Sequence, residues 1–239
     1  MGNPFRYWRL CAWGGPVLLI VTIIFWGILG RNIPPYAADL SAQDFADQFR
    51  PVATQIRVGM TVTVSFSVLY LVWGMAITKV METLERDNNV LSTLQIWGAG
   101  FTTIIFVVPC AIWLTATYRA DTLDPALLQI IYDMGWMLFD LAYSLTTLQM
   151  IVIGVCFLGD KRAEPLFPKW LCWFSIWVGF MFICESLNPF FKGGAFSRSG
   201  VLNYWIEFSI FFLFMALISI YLLKAITRLE QEHASGKNP

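Results

Sequence analysis

Six apolar stretches set what this chain can fold into. They run over about residues 16–30, 58–80, 94–117, 127–158, 170–187 and 204–223. A bilayer core of roughly 30 Å needs about 20 apolar residues per crossing helix, a length these stretches approach or exceed. A backbone in hydrocarbon must satisfy its own hydrogen bonds, so such crossings are helical. The expected architecture is an all-α membrane protein, a single domain over 1–239 formed by a bundle of six transmembrane helices. Composition agrees. Of 239 residues 57% are hydrophobic and only 13% charged, with mean hydropathy +0.62, whereas soluble domains are about 25% charged. Net charge is zero, so no nucleic-acid partner is expected.

Orientation is read from the basic residues flanking the spans. Arg6, Arg9, Lys79, Arg86, Lys161, Arg162, Lys169, Lys224, Arg228 and Lys237 fall on the side of the termini; Arg31, Arg50, Arg57, Arg119, Lys192 and Arg198 fall on the other. Ten against six places both termini in the cytoplasm, and a cell membrane, the bacterial cytoplasmic one, is the expected location. Arg6 and Arg9 ahead of an apolar run would also suit a signal peptide. No small-residue cleavage site follows that run, so an uncleaved anchor is expected.

Redox and metal chemistry find little support. Cys11, Cys110, Cys156, Cys172 and Cys184 form no CxxC pair and lie mostly in apolar runs, and His233 is the sole histidine. Haem or di-iron sites of the histidine-rich kind need several imidazoles. Neither a metal nor a cofactor is expected.

The longest outer loop, 31–57, opens with Pro34 and Pro35, which stop a helix. Ser41 and Asp44 resemble a capping box, and Phe45, Phe49 and Val52 follow at helical spacing, with Pro51 limiting the segment. A short amphipathic helix on the outer surface is expected, serving as a packed connector rather than as a lid. On the inner side Glu82, Glu85, Arg86 and Asp87 should prolong the second span to Asn88 and Asn89. Residues 159–170 should form a turn with a new helix starting near Pro168.

The residues that carry potential chemistry are acids within the spans. In "DMGWMLFDLAYS" (133–144) Asp133 and Asp140 are two helical turns apart and share a face, which Tyr143, Ser144 and Thr147 continue. Asp140 lies about 10.5 Å deeper than Asp133 along a regular helix. Glu185, with Asn188 three residues on, and Glu207 fall in the same outer half. Shallow acids such as Asp133, Glu185 and Glu207 are more often wetted interface residues. An acid at Asp140's depth costs several kcal/mol and usually faces a cavity or a partner. Three functions fit. The first is binding of a lipophilic small molecule by Trp136, Asp140, Tyr143, Glu185, Asn188 and Glu207. The second is an intramembrane acid–base isomerase or cyclase, with Asp140 as acid and Asp133 or Glu185 as base, and Trp136 or Tyr143 stabilising positive charge. The third is an accessory subunit whose acids meet a partner's basic residues. In every case the lipid bilayer is a partner.

The stretches "IPPYAADLSAQDFADQFRPVATQIRVGM" (33–60), "YDMGWMLFDLAYSLTTLQ" (132–149), "EPLFPKW" (164–170) and "FKGGAFSRSGVLNYW" (191–205) resemble an uncharacterised family of small six-span bacterial integral membrane proteins. That resemblance implies six spans; it implies no activity and supplies no catalytic residue.

Overall fold

The computed structural model describes residues 3–85 and 88–236. Arg86, Asp87 and Lys237, which entered the expectations above, lie outside the described residues. Among the described residues every regular element is helical, and six helical segments are long and apolar enough to cross a membrane. This is a multi-pass membrane protein.

The first span is longer than its apolar run. It starts at Pro4, with α1 (Pro4–Ala12), α2 (Gly14–Val21) and a π-helical stretch Thr22–Leu29. The Asn3 side chain caps α1 by accepting from Phe5 N at 3.0 Å, and proline at the first helical position loses no bond. α1 mixes polar and apolar residues, so hydropathy alone does not register it. Arg31, in the left-handed region (φ 57°), turns the chain off the span.

Loop 31–41 leads into α3 (Ala42–Phe49), where Ser41 Oγ accepts from Asp44 N at 3.1 Å. The expected cap and helix are present. Phe45, Ala46 and Phe49 are fully buried, and α3 packs on α6 (Pro125–Leu141). It is a packed connector. Pro51 sits in a single 3₁₀ turn, Arg50–Val52, joining α3 to α4 (Ala53–Glu82).

At the inner end α4 stops at Glu82 rather than running to Asn88. Glu85 instead bends back, its carboxylate accepting from Leu91 N (2.9 Å) and Ser92 N (2.8 Å) at the start of α5 (Val90–Tyr118). A carboxylate satisfies the free amides of a helix N-terminus better than more helix would. α6 and α7 (Tyr143–Leu158) form the fourth crossing, broken at Ala142. The expected single helix over 127–158 is thus two, and the face shared by Asp133 and Asp140 does not pass into α7: Ser144 is exposed, and Thr147 donates to Gly179 O at 2.9 Å. α8 (Lys169–Met181) starts after Pro168 as expected and continues as a 3₁₀ helix, Phe182–Phe190. A π-helical turn, Val201–Ile206, opens the last crossing, α9 (Glu207–Ala234).

The two ends of the chain meet, Arg9 pairing with Glu230 at 2.6 Å. They define a terminal end of the bundle; α3 marks the opposite, loop end. Outward-facing Ile20, Ile24, Ile104, Val108, Trp173 and Trp177 leave an apolar exterior, as lipid requires. Small residues set the closest helix approaches. A Cβ on Gly154 of α7 would come within 2.6 Å of Cys172 O in α8.

Three arginines hold the loop end together. Arg50 donates to Ala120 O and Leu123 O, both at 2.9 Å, and Arg57 to Thr117 O at 2.7 Å, satisfying carbonyls in the last turn of α5 and just past it. Arg198, buried in loop 191–200, donates to Tyr36 O (2.8 Å), Ala37 O (3.4 Å) and the Asp133 carboxylate, and lies 5.1 Å over the Tyr132 ring.

Beside it, burial and the neighbouring Tyr132 push the Tyr36 phenol from 10 up to about 12, against a smaller opposing pull from Arg31. A phenol whose pKa is raised on folding contributes its stability in full below the unfolded value of 10, and loses it as pH climbs to about 12. Wild-type stability in detergent should fall across that window. Tyr36→Phe should lack that part of the fall, and parallel alkaline curves for the two proteins would show that Tyr36 does not titrate there.

Candidate functional site

Irregular backbone converges on one region of the loop-end half. The π-helical Thr22–Leu29, the break at Ala142, the 3₁₀ helix Phe182–Phe190 and the π-helical Val201–Ile206 all lie there. Backbone that departs from the α-helix at membrane depth survives where it is buried in protein or lines a cavity, and π-turns recur at functional sites. Pro109 adds to this in α5. Lacking an N–H, it cannot bond the carbonyl four residues back, that of Ile105.

These segments bring three acids together. Asp140, 2% exposed, ends α6 and accepts a hydrogen bond from Asn188 Nδ2. Glu185 and Asn188 are three residues apart in a 3₁₀ helix, whose three-residue turn stacks their side chains on one face. Glu207 begins α9 with no exposure at all, and neither of its carboxyl oxygens meets a donor among the described residues; the group it faces is the Glu185 carboxyl. Asp140 also feels the charge of Arg198 from the loop side.

Beside the acids lies a narrow aromatic slot with a cavity volume of about 30 Å³, roughly the space of one water molecule. Trp26 from the first span forms its floor, stacked on Phe139 (5.4 Å) and Phe208 (5.4 Å). Phe106, Phe182, Phe211 and Phe212 complete the rings. The polar points are Glu185, Tyr143 and the hydroxyls of Thr22, Thr102 and Thr146, of which the last two lie 3.0 Å apart. Ile105, Tyr143, Phe208 and Phe212 are only half-buried, so the slot approaches the lipid-facing surface.

Of the residues singled out in the sequence, Glu185 and Tyr143 line the slot. Asp140, Asn188 and Glu207 form the polar cluster behind Glu185, and Trp136 is fully buried in the aromatic core, 5.4 Å from Trp113 and 6.2 Å from Tyr204. Asp133 stands apart, held by Arg198 with its side chain 38% exposed. Trp26, Thr22, Thr102 and Thr146 carry no individual mark in the sequence that sets them apart, because hydroxyls and aromatics in apolar spans are commonplace. The spacing Gln95, Thr102, Phe106 on α5 was the available signal. Among the described residues no group of three His, Cys, Asp or Glu has the geometry of a metal site.

Fold and site define the class: a six-span helical membrane protein with buried carboxyls beside an aromatic slot. No family model matches the chain, and neither a curated protein nor a solved structure is similar to it.

Proposed function

We propose that the protein binds a lipophilic small molecule carrying a polar group, held in the slot between Trp26, Phe139 and Phe208. The observation that supports this reading best is a single carboxyl, Glu185, set among eight aromatic rings and three threonine hydroxyls. Apolar pockets with a few convergent polar groups are the usual form of small-molecule sites. A slot this thin favours a flat ring or an unbranched chain, entering from the bilayer past the half-buried Phe208 and Phe212. Glu185 and the hydroxyls read the polar group; the rings supply contact area. The excess of basic residues at the terminal end supports a cytoplasmic position for both termini, in a bacterial cell membrane.

Native mass spectrometry of protein purified in mild detergent tests this. Wild type should retain one defined lipophilic species. Glu185→Gln should retain about tenfold less, the cost of losing a charge-assisted hydrogen bond. Asp140→Asn should retain it nearly unchanged, since Asp140 faces Asn188 and not the slot. Identical lipid content in wild type and Glu185→Gln would count decisively against a site here.

A further inference from the structure

A buried polar file crosses the other half of the bundle. It starts on α5, where Ser92, Gln95 and Thr102 follow one another at helical spacing and are all at most 2% exposed. Gln95 Oε1 lies against Thr78 Oγ1 of α4, whose one proton is shared between it and Gly74 O at 3.0 Å. One turn on, Gly98 lets α7 approach so closely that a Cβ there would stand 2.9 Å from Cβ of Gln149. Gln149 Oε1 accepts from Tyr70 OH at 2.9 Å. The next turn holds Thr102 and Thr146, which line the slot together with Glu185. From Gln95 to Thr102 is about 10.5 Å along the axis, with a polar side chain at each turn.

Interhelical glue needs only the bonds just named. The file has more. Gln95 Nε2 and Gln149 Nε2 are both fully buried, with no acceptor among the described residues. Buried amides are nearly always paired, by protein or by ordered water, so two unpaired donors in consecutive turns leave hydrogen-bonding capacity that water can take up. The slot that Thr102 and Thr146 line has room for about one water molecule. At the terminal end, Ser92 donates to Asn89 O at 3.2 Å and sits next to the Glu85 carboxylate, where the file meets the aqueous side.

We propose that this file is a proton route, carrying protons from the terminal-end aqueous phase through water, Gln95, Gln149 and the Thr102–Thr146 pair to Glu185 and Glu207. A proton arriving at Glu185 is shared with the facing Glu207, as a carboxyl O–H donating to the second carboxylate. The titratable groups facing Glu185 are Glu207 from α9, Asp140 from α6 and its neighbour Cys184. Asp140 already has a donor in Asn188, which leaves the proton to the glutamate pair. Nothing is oxidised or reduced; a proton taken from the terminal-end water rests on the glutamate pair and exchanges back to that water along the same file. The route does not depend on a ligand in the slot.

Infrared spectroscopy of the full chain in detergent reads this directly. A protonated buried carboxyl should give a carbonyl band that disappears in Glu185→Gln or Glu207→Gln. On transfer to D₂O the band should shift promptly in wild type. Gln149→Leu, and the nearly isosteric pair Thr102→Val with Thr146→Val, should slow the shift about tenfold, as expected for losing one hydrogen-bonded step. The threonine pair preserves side-chain volume, so the test survives misfolding of the leucine variant. Wild-type rates in folded variants of both kinds would overturn the route, because protons would then be entering from the loop end. A missing carboxyl band would overturn the shared proton.

Discussion

Replacing Arg198 with alanine should destabilise the fold by about 3 kcal/mol, as for removing one member of a buried ion pair. Its side chain is 1% exposed and holds four partners at once: Asp133, two backbone carbonyls of the loop 31–41 and the Tyr132 ring. Truncation leaves the Tyr36 and Ala37 carbonyls short of donors beneath α3. Asp133 is partly exposed and can be rehydrated, so Asp133→Asn, which keeps an acceptor in place, should cost only about 1 kcal/mol. Denaturant titration in mixed micelles compares the two. Equal effects would mean that Arg198 acts only as the counter-charge of Asp133. The larger loss expected for Arg198 places its main role in pinning both long loops to α6. Arg198→Lys should recover little, because a point charge cannot serve two carbonyls and stack on a ring.

Six spans were legible in the sequence because hydropathy integrates over some twenty residues. Their ends were less so, for local reasons that hydropathy does not contain. Pro4 to Ala12 is helical because Asn3 caps it and Glu230 engages Arg9. The break at Ala142 has no proline or glycine to announce it and exists where α6 and α7 turn different faces to their neighbours. Ser41 and Asp44, a true local signal, marked the start of α3 correctly. Within the site, Glu185, Glu207, Asp140 and Asn188 stood out because polar atoms are rare in apolar runs. Asp133 stood out for the same reason and yet belongs to a different contact, since its partner Arg198 lies sixty-five residues away. Gln95 and Gln149 were equally anomalous in apolar spans and were passed over because neither carries charge.

The irregular first span explains why one small change should disturb both stability and site. Gly59 of α4 lies against the π-helical stretch of that span; a Cβ there would stand 2.3 Å from Phe25 O and 2.8 Å from Gly30 N. Both are backbone atoms, so no side-chain rotation relieves the clash and the two helices must separate. Gly59→Ala should therefore cost about 3 kcal/mol, the upper part of the range for overpacking. Gly100→Ala on α5 is the matched control. Its Cβ meets only Leu71 Cδ1 at 3.9 Å, so it should be neutral or stabilise by about 0.5 kcal/mol through helix propensity. Phe25 adjoins Trp26, whose indole stacks on Phe139 and Phe208, so a shift of the first span opens those stacks. Gly59→Ala should accordingly also lose the lipophilic species proposed to occupy the slot, whereas Gly100→Ala should keep it. Retention by a destabilised Gly59→Ala protein would separate the two effects and show that the slot tolerates movement of its floor.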